Sequence, residues 1–452
     1  MKMTVGEIAK ACRGKLLCGN PNTVITAVST DSRKITSGTL FVPIKGEKTD
    51  AHTFIGATFA AGAAATLTQE HREMADCHAW ISVPGTESAL QQIAAEYRKR
   101  FHIPFIGVTG SVGKTTTKEM IALALSAELN VMKTEGNFNS QIGLPLTMFR
   151  LNSAHQAAVI EMGMSNFGEM GRLAQIAAPD YAVMTNIGIS HIQQLKTQQN
   201  ILREKLHITD RFHKGSVLFL NGDDELLAGL RGKMDVKTIY FGTQPWCDFR
   251  AEGIVFSNGS TQFTLCTPAG TQKITLPVLG IHNVTNALAG LAVAQALGVP
   301  LNQAAEKLAG YQPLAMRQQI HYVNEITIID DSYNASPDSM HSSLDVLCSF
   351  HGGKRVAVLA DMLELGDFSQ QAHFDVGVYA ARSGVDLLIT VGGQSKEIAK
   401  GAKSVNPGLN CRVFENNIDA ISELKSTLTV GDAVLIKGSR GMQTDQIVKA
   451  LL

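Results

Sequence analysis

Residues 105–120 read FIGVTGSVGKTTTKEM, an apolar run that breaks into a glycine-rich turn and then into helix-forming residues. A buried strand ending in Gly110-Ser111-Val112-Gly113-Lys114-Thr115 and opening a helix aims backbone N–H groups between Gly110 and Thr116 at phosphate oxygens. Lys114 then offers a positive charge to the outer phosphates, and the Thr115 hydroxyl suits a magnesium ion. The strict eight-residue form of this loop begins on glycine, where this chain carries Val108. Two readings of the stretch follow: a nucleotide cradle, or a plain glycine-rich turn between strand and helix.

Outward from the loop, strand and helix alternate. QAAVIEMG precedes GEMGRLAQIA, and YAVMTNIG precedes NILREKLHITDRF, a pattern that implies a parallel sheet covered on both faces. From about 240 to 278 shorter alternating runs, such as STQFTLCT and TQKITLPV, predict a small antiparallel patch. NVTNALAGLAVAQALG follows as a helix with small residues suited to close packing. A second α/β series begins near 315 with EITIIDDSY, RVAVLADM, VDLLITVG and AVLIKGS, each ending in polar or glycine-rich residues, where open α/β sheets bind ligands. Before the loop, residues 1 to about 84 form a small α/β module, and ESALQQIAAEYRKRF reads as a connecting helix.

A chain of 452 residues is too long for one ordinary core. Hydrophobic residues make up 44% and charged residues 18%, which fits a folded rather than a disordered chain. Lys+Arg and Asp+Glu balance at 40 each, so total charge recruits neither nucleic acid nor an anionic membrane. The cysteines at 12, 18, 77, 247, 266, 348 and 411 contain no CxxC pair, arguing against a zinc ribbon and a disulfide framework. No stretch approaches the ~20 apolar residues of a membrane span, and the amino-terminal MKMTVGEIAKACRGKLLCG lacks a signal-peptide core. A soluble, cytoplasmic protein is expected.

Glu161 ends the AAVIE run, placed to hold a second side of a magnesium ion, although a strand-terminal Glu also serves as a helix cap. Asn186 and His191 follow the next strand in TNIGISH. Asn283 and Asn286, three apart at a helix start, can pair with an adenine edge or cap the helix. Thr30-Asp31-Ser32-Arg33 reads as a turn, and Lys205 by spacing alone is a surface lysine on a helix.

Taken in order, TGSVGKTT, GNFNSQIGLPLT, EMGM, NIGISH, GIHNVTNALA and KGSRG resemble the Mur ligase family, the ATP-dependent amide-forming enzymes of peptidoglycan synthesis. The resemblance spans essentially the whole chain. It implies an α/β fold in three domains: a small UDP-sugar-binding domain (1–84), a central P-loop parallel-sheet ATPase domain (85–314), and a Rossmann-like α/β domain (315–452). IIDDSYNASPDSM, VLADMLELG and STDSRKITSGTLFVPIKGEKTDAHTF narrow it to the branch that adds D-Ala-D-Ala to a UDP-N-acetylmuramoyl-tripeptide. A sibling ligase that adds one amino acid, and a non-catalytic nucleotide-binding relative, are the alternatives.

By this resemblance ATP and a pair of Mg²⁺ ions bind at residues 110–116, with Thr115, Glu161, His191 and Lys205 completing the metal shells, the last as a carbamate. Lys114, His191 and Lys205 are the implied catalytic set. His282, Asn283 and Asn286 lie near the base, while Arg317 and Asp331 reach the phosphate and ribose from the last domain. Ser32, Arg33 and Lys45 hold the UDP-sugar, and Asn137 and Asn139 face the muramyl-peptide. Tyr333, Asn334 and Arg440 serve the D-Ala-D-Ala end, where an Arg fork suits a carboxylate. The partners implied are these small molecules, with no nucleic acid and no membrane insertion, acting on a monomer.

Overall fold

A computed structural model describes residues 1–70, 78–257 and 259–452. Cys77 lies outside the described residues; no disulfide joins two described cysteines. Among the described residues, no helix is long and apolar enough to cross a membrane.

The strand Phe105–Thr109 is buried at every position and lies inside a nine-stranded sheet, flanked in parallel by Ala157–Glu161 and Tyr181–Met184. Its β-branched and aromatic residues alternate between two cores: Phe105 packs on one face, and Ile106 and Val108 pack on the other. Val108 is therefore a strand residue, level with Glu161 and Val183, rather than a loop residue. Burying such a side chain contributes roughly 1.5–3 kcal/mol, so an apolar residue there stabilises the sheet where glycine would not.

From Thr109 the chain turns into the helix Lys114–Leu125, proceeds to the edge strand Val131–Lys133, and returns through Ala157–Glu161 before crossing to Tyr181–Met184. The direction of strand addition thus reverses at the loop strand, and the crevice beyond the carboxyl ends of such strands binds ligands. On the far face the helix Ile281–Ala296 packs across Lys114–Leu125. Gly290 makes the approach possible, since a Cβ there would lie 3.2 Å from the Met120 carbonyl.

The antiparallel region differs from the expectation. Phe249–Ser257, Ser260–Thr267 and Gly270–Leu276 are among the longest strands of the chain and continue the central sheet beyond Lys237–Gly242. Phe249, Phe263, Leu265 and Ile274 join the same core as Ile106, so this is an extension of the main sheet rather than a separate patch.

A five-stranded sheet, from Lys15–Cys18 to Ala79–Ser82, and a two-stranded ribbon of Met3–Thr4 with Val24–Ile25 precede the central sheet. The connecting helix Thr86–Arg98 buries Leu90, Ile93 and Tyr97 in one core that runs from Met3 into the central sheet. A six-stranded sheet forms the last part, with Ile326–Asp331, Ala433–Lys437 and Arg355–Ala360 adjacent and parallel, and Gln319–Val323 antiparallel at the edge. Asp331 and Lys437 end neighbouring strands in register.

Candidate active site

The loop after Thr109 depends on two glycines. Gly110 has φ of +150°, and a Cβ on it would stand 1.9 Å from the Thr185 hydroxyl; Gly113 has φ of +83° and caps the helix. Both are conformations that a side chain opposes. The next strand supplies the loop's partners. Asn186 Oδ1 accepts from Ser111 N–H at 3.0 Å and from Val112 N–H at 2.8 Å, and the Thr185 hydroxyl donates to the Val112 carbonyl at 2.5 Å. Ser111 and Val112 N–H are therefore already used. The N–H groups of Gly113, Lys114, Thr115 and Thr116 open the helix with no acceptor inside it, which narrows the phosphate-facing donors to the first turn.

Lys114 folds back over its own loop, donating to the Gly110 carbonyl at 2.9 Å and to the Ser111 carbonyl at 3.2 Å. Lys205, read by spacing as a surface lysine, is only 2% exposed and donates to the same Gly110 carbonyl at 2.9 Å. The helix Gln198–Leu206 turns this residue inward beneath the loop. Burial, and then repulsion by Lys114, push the Lys205 amine well below the ordinary lysine pKa. Burial lowers Lys114 too, with Glu161 opposing and Arg317 assisting.

Glu161 is buried at its strand end. Its Oε1 accepts from Asn139 Nδ2 at 2.6 Å, while Oε2 meets no hydrogen-bond donor and lies 4.0 Å from Lys118 Nζ. A buried carboxylate oxygen without a donor is expensive unless a cation meets it. This oxygen and the Thr115 hydroxyl line one cleft and suit a hard divalent cation, whose preferred ligands are oxygens. Among the described residues no three His, Cys, Asp or Glu side chains already form a cage. His191, held at φ of +62°, directs Nδ1 to 2.9 Å from a Glu364 carboxylate oxygen, and burial lowers its pKa.

The last sheet closes this loop into a cleft of about 730 Å³. Arg317 lies over the Tyr333 ring at 3.9 Å and donates to the Thr115 hydroxyl at 3.2 Å. Gln318 Oε1 accepts from Asn283 Nδ2 at 3.0 Å and lies 3.0 Å from His282 Nε2. Asn283 also donates to the Leu279 carbonyl, and Asn286 accepts from the Thr117 hydroxyl at 2.8 Å; Gly280 is the helix cap. Part of each Asn is thus spent on joining elements. Asp331 accepts from Ser343 Oγ at 2.6 Å, from Gln318 N–H and from Lys437, which also donates to the Asn334 carbonyl.

The cleft brings together most of the loop, Asn137, Asn139, Glu161, His282, Asn283, Asn286, Arg317, Asp331, Tyr333 and Asn334. Lys205 and His191 sit behind and beside it. Ser32, Arg33, Lys45 and Arg440 do not line it. Arg33 pairs with Asp31 in its own turn, Lys45 with Glu70 at 2.7 Å, and Arg440 points at Met316 and Asp445. Sequence reasoning missed Thr185, Gln318 and Lys437. For Lys437 there was a signal, its place at the end of the buried run AVLIK; for Gln318 there was none.

Comparison with known proteins agrees with this geometry. The Mur ligase middle domain matches residues 108–294, the Mur ligase glutamate ligase domain residues 316–440, and the Mur ligase family catalytic domain residues 24–98. The UDP-N-acetylmuramoyl-tripeptide–D-alanyl-D-alanine ligase of Bacillus subtilis is 39% identical across 100% of this chain and 99% of its own length. The Escherichia coli enzyme of the same name is 32% identical across 100% and 98%. MurF from Acinetobacter baumannii superposes with a TM-score of 0.93 at 31% identity, covering 100% of this chain and 99% of that one. MurF ligase from Thermotoga maritima, solved in complex with ADP, gives 0.84 at 26% identity, covering 94% and 96%.

Proposed function

The chain belongs to the Mur ligase family, and from that premise we propose that it joins D-Ala-D-Ala to a UDP-N-acetylmuramoyl-tripeptide, driven by ATP, in peptidoglycan precursor synthesis. The observation that carries the reading is the reach of Arg317 to the Thr115 hydroxyl, which closes the last sheet over a phosphate loop. Such closure shields a reactive acyl phosphate from water.

In this reaction the γ-phosphoryl group of ATP passes to the tripeptide's terminal carboxylate. The amine of D-Ala-D-Ala then attacks the carbonyl carbon, and phosphate leaves from a tetrahedral intermediate. Lys114 and the first-turn N–H groups hold the outer phosphates, and Arg317 adds charge as it develops. Asp331, fixed by Lys437 and Ser343, is oriented towards the ribose, with His282, Asn283 and Asn286 beside the base. Thr115 and Glu161 would hold Mg²⁺, with His191 and Lys205 near a second ion. Bound there, the ions neutralise charge shared by the phosphates and the acid. Burial favours the neutral Lys205 amine, the form that adds carbon dioxide to become a carbamate.

Ser32, Arg33 and Lys45 belong in this reading to the UDP-sugar, Asn137 and Asn139 to the muramyl-peptide, and Tyr333, Asn334 and Arg440 to the dipeptide. The reading places domain boundaries near 84 and 314. A cytoplasmic monomer acting on small molecules completes the proposal. Phosphate release tested with D-Ala-D-Ala, with L-Lys and with meso-diaminopimelate checks it. Release with the dipeptide alone is expected, and release with a single amino acid instead would refute it.

A further inference from the structure

The proposed reaction poses a problem of charge. Its acceptor arrives mostly as an ammonium, because an α-amine has a pKa of about 8. A protonated nitrogen has no lone pair for attack. The basic side chains that line the cleft, Lys114, Arg317 and Lys437, repel an ammonium when charged.

Of the carboxylates that line the cleft, Glu161 is held by Asn139, Asp223 by Thr243, Asp331 by Ser343 and Lys437, and Asp345 by Tyr379. Asp338 also lines it, is exposed to it, and makes no side-chain hydrogen bond or ion pair among the described residues. It is the second residue of the helix Pro337–Cys348, yet it stands against the loops that leave two strands of the central sheet. A Cβ on Gly188 would lie 2.1 Å from Asp338 Oδ2 and 3.4 Å from the Ser111 Cβ. A carboxylate at a helix start complements the helix dipole, but that role needs no approach to Gly188 and the phosphate loop. Surrounding protein pushes the Asp338 carboxyl above the usual carboxylate range, with His341 opposing and Asp224 assisting. A carboxylate whose pKa is raised is a stronger base for the proton it must take.

We propose that Asp338 is a catalytic residue that receives the acceptor's ammonium and removes a proton from it. This rests on the ligase reading above. The carboxylate takes one proton, and the freed lone pair forms the C–N bond. As the tetrahedral intermediate collapses, the carbon–oxygen bond to phosphate breaks. A second proton leaves nitrogen with the phosphate, the third stays on the amide, and Asp338 returns its proton to solvent.

The test compares the parent with Asp338→Asn and Asp338→Glu, using ATP, tripeptide and either D-Ala-D-Ala or hydroxylamine. Hydroxylamine is uncharged near pH 7 and needs no proton removed before it attacks. In Asp338→Asn, kcat/KM for the dipeptide is expected to fall about 100-fold. ADP release with hydroxylamine, and the KM values for ATP and tripeptide, should stay within about twofold, a shift worth only ~0.4 kcal/mol. Asp338→Glu should recover part of the dipeptide rate. Unchanged dipeptide kinetics would overturn the proposal, as would a KM for ATP or tripeptide that rises as far as that for the dipeptide. Equal losses with both nucleophiles would do the same. A parent that releases no ADP with tripeptide and dipeptide would instead refute the ligase reading itself.

Discussion

The loop at 110–116 and the turn at 30–33, which the proposed function gives to anionic groups, are built in opposite ways. Partners of the loop come from far along the chain: Thr185 lies 73 residues from Val112, Asn186 lies 75 from Ser111, and Lys205 lies 95 from Gly110. The turn is held by its own neighbours, with Asp31 accepting from the Arg33 backbone and guanidinium two residues on. The Arg33 side chain is 86% exposed. A ligand at the loop meets donors already fixed by the sheet, whereas one at the turn must immobilise an exposed side chain, which costs about 0.5–1.5 kcal/mol. Chemistry belongs at the first kind of site, and adaptable grip at the second.

If that contrast is right, Lys114→Ala should be the most damaging change. Tripeptide-dependent ADP formation should drop by roughly 10²–10³ or more, as when a charge-stabilising donor is removed from an enzyme site. Next, Gly110→Ala forces a side chain into φ of +150° and against Thr185. It should lower unfolding stability by about 1–3 kcal/mol and weaken ADP binding, read by a thermal melt with and without nucleotide. Asn186→Ala removes the acceptor from Ser111 and Val112 N–H. A loss of about 1–3 kcal/mol is expected, with a higher KM for ATP while the KM for D-Ala-D-Ala holds.

The smallest effect should come from Arg33→Ala. Stability should stay within about 0.5 kcal/mol, and only the KM for the UDP-linked substrate should rise. A large stability loss at Arg33, or none at Gly110, would erase the distinction between the two regions.

The fold was readable wherever an element's burial repeats along the chain. FIGVT, AAVIE, YAVM, ITIID and AVLIK are continuous apolar runs, and each is a central strand. The strands between 249 and 276 were misjudged in size because one face meets the core and the other does not, so alternation breaks the run. In the site, Lys114 and Thr115 were legible because a loop's chemistry lies within a few consecutive residues. Arg440 was chosen on side-chain chemistry alone, and Lys437 was not considered. Strand register, which sets Lys437 beside Asp331, leaves no trace in local sequence.

The sequence alone therefore determined the strand–loop–helix at 105–125 and the alternation of strands and helices. Local geometry and burial act over a few residues, and that information is written locally. Tertiary structure decided which N–H groups remain open, that Lys205 lies inward, and that the Asp338 side chain has no hydrogen-bond partner among the described residues. Those facts depend on register and on the approach of one sheet to another, where residues 95 and 202 positions apart meet in a hydrogen bond.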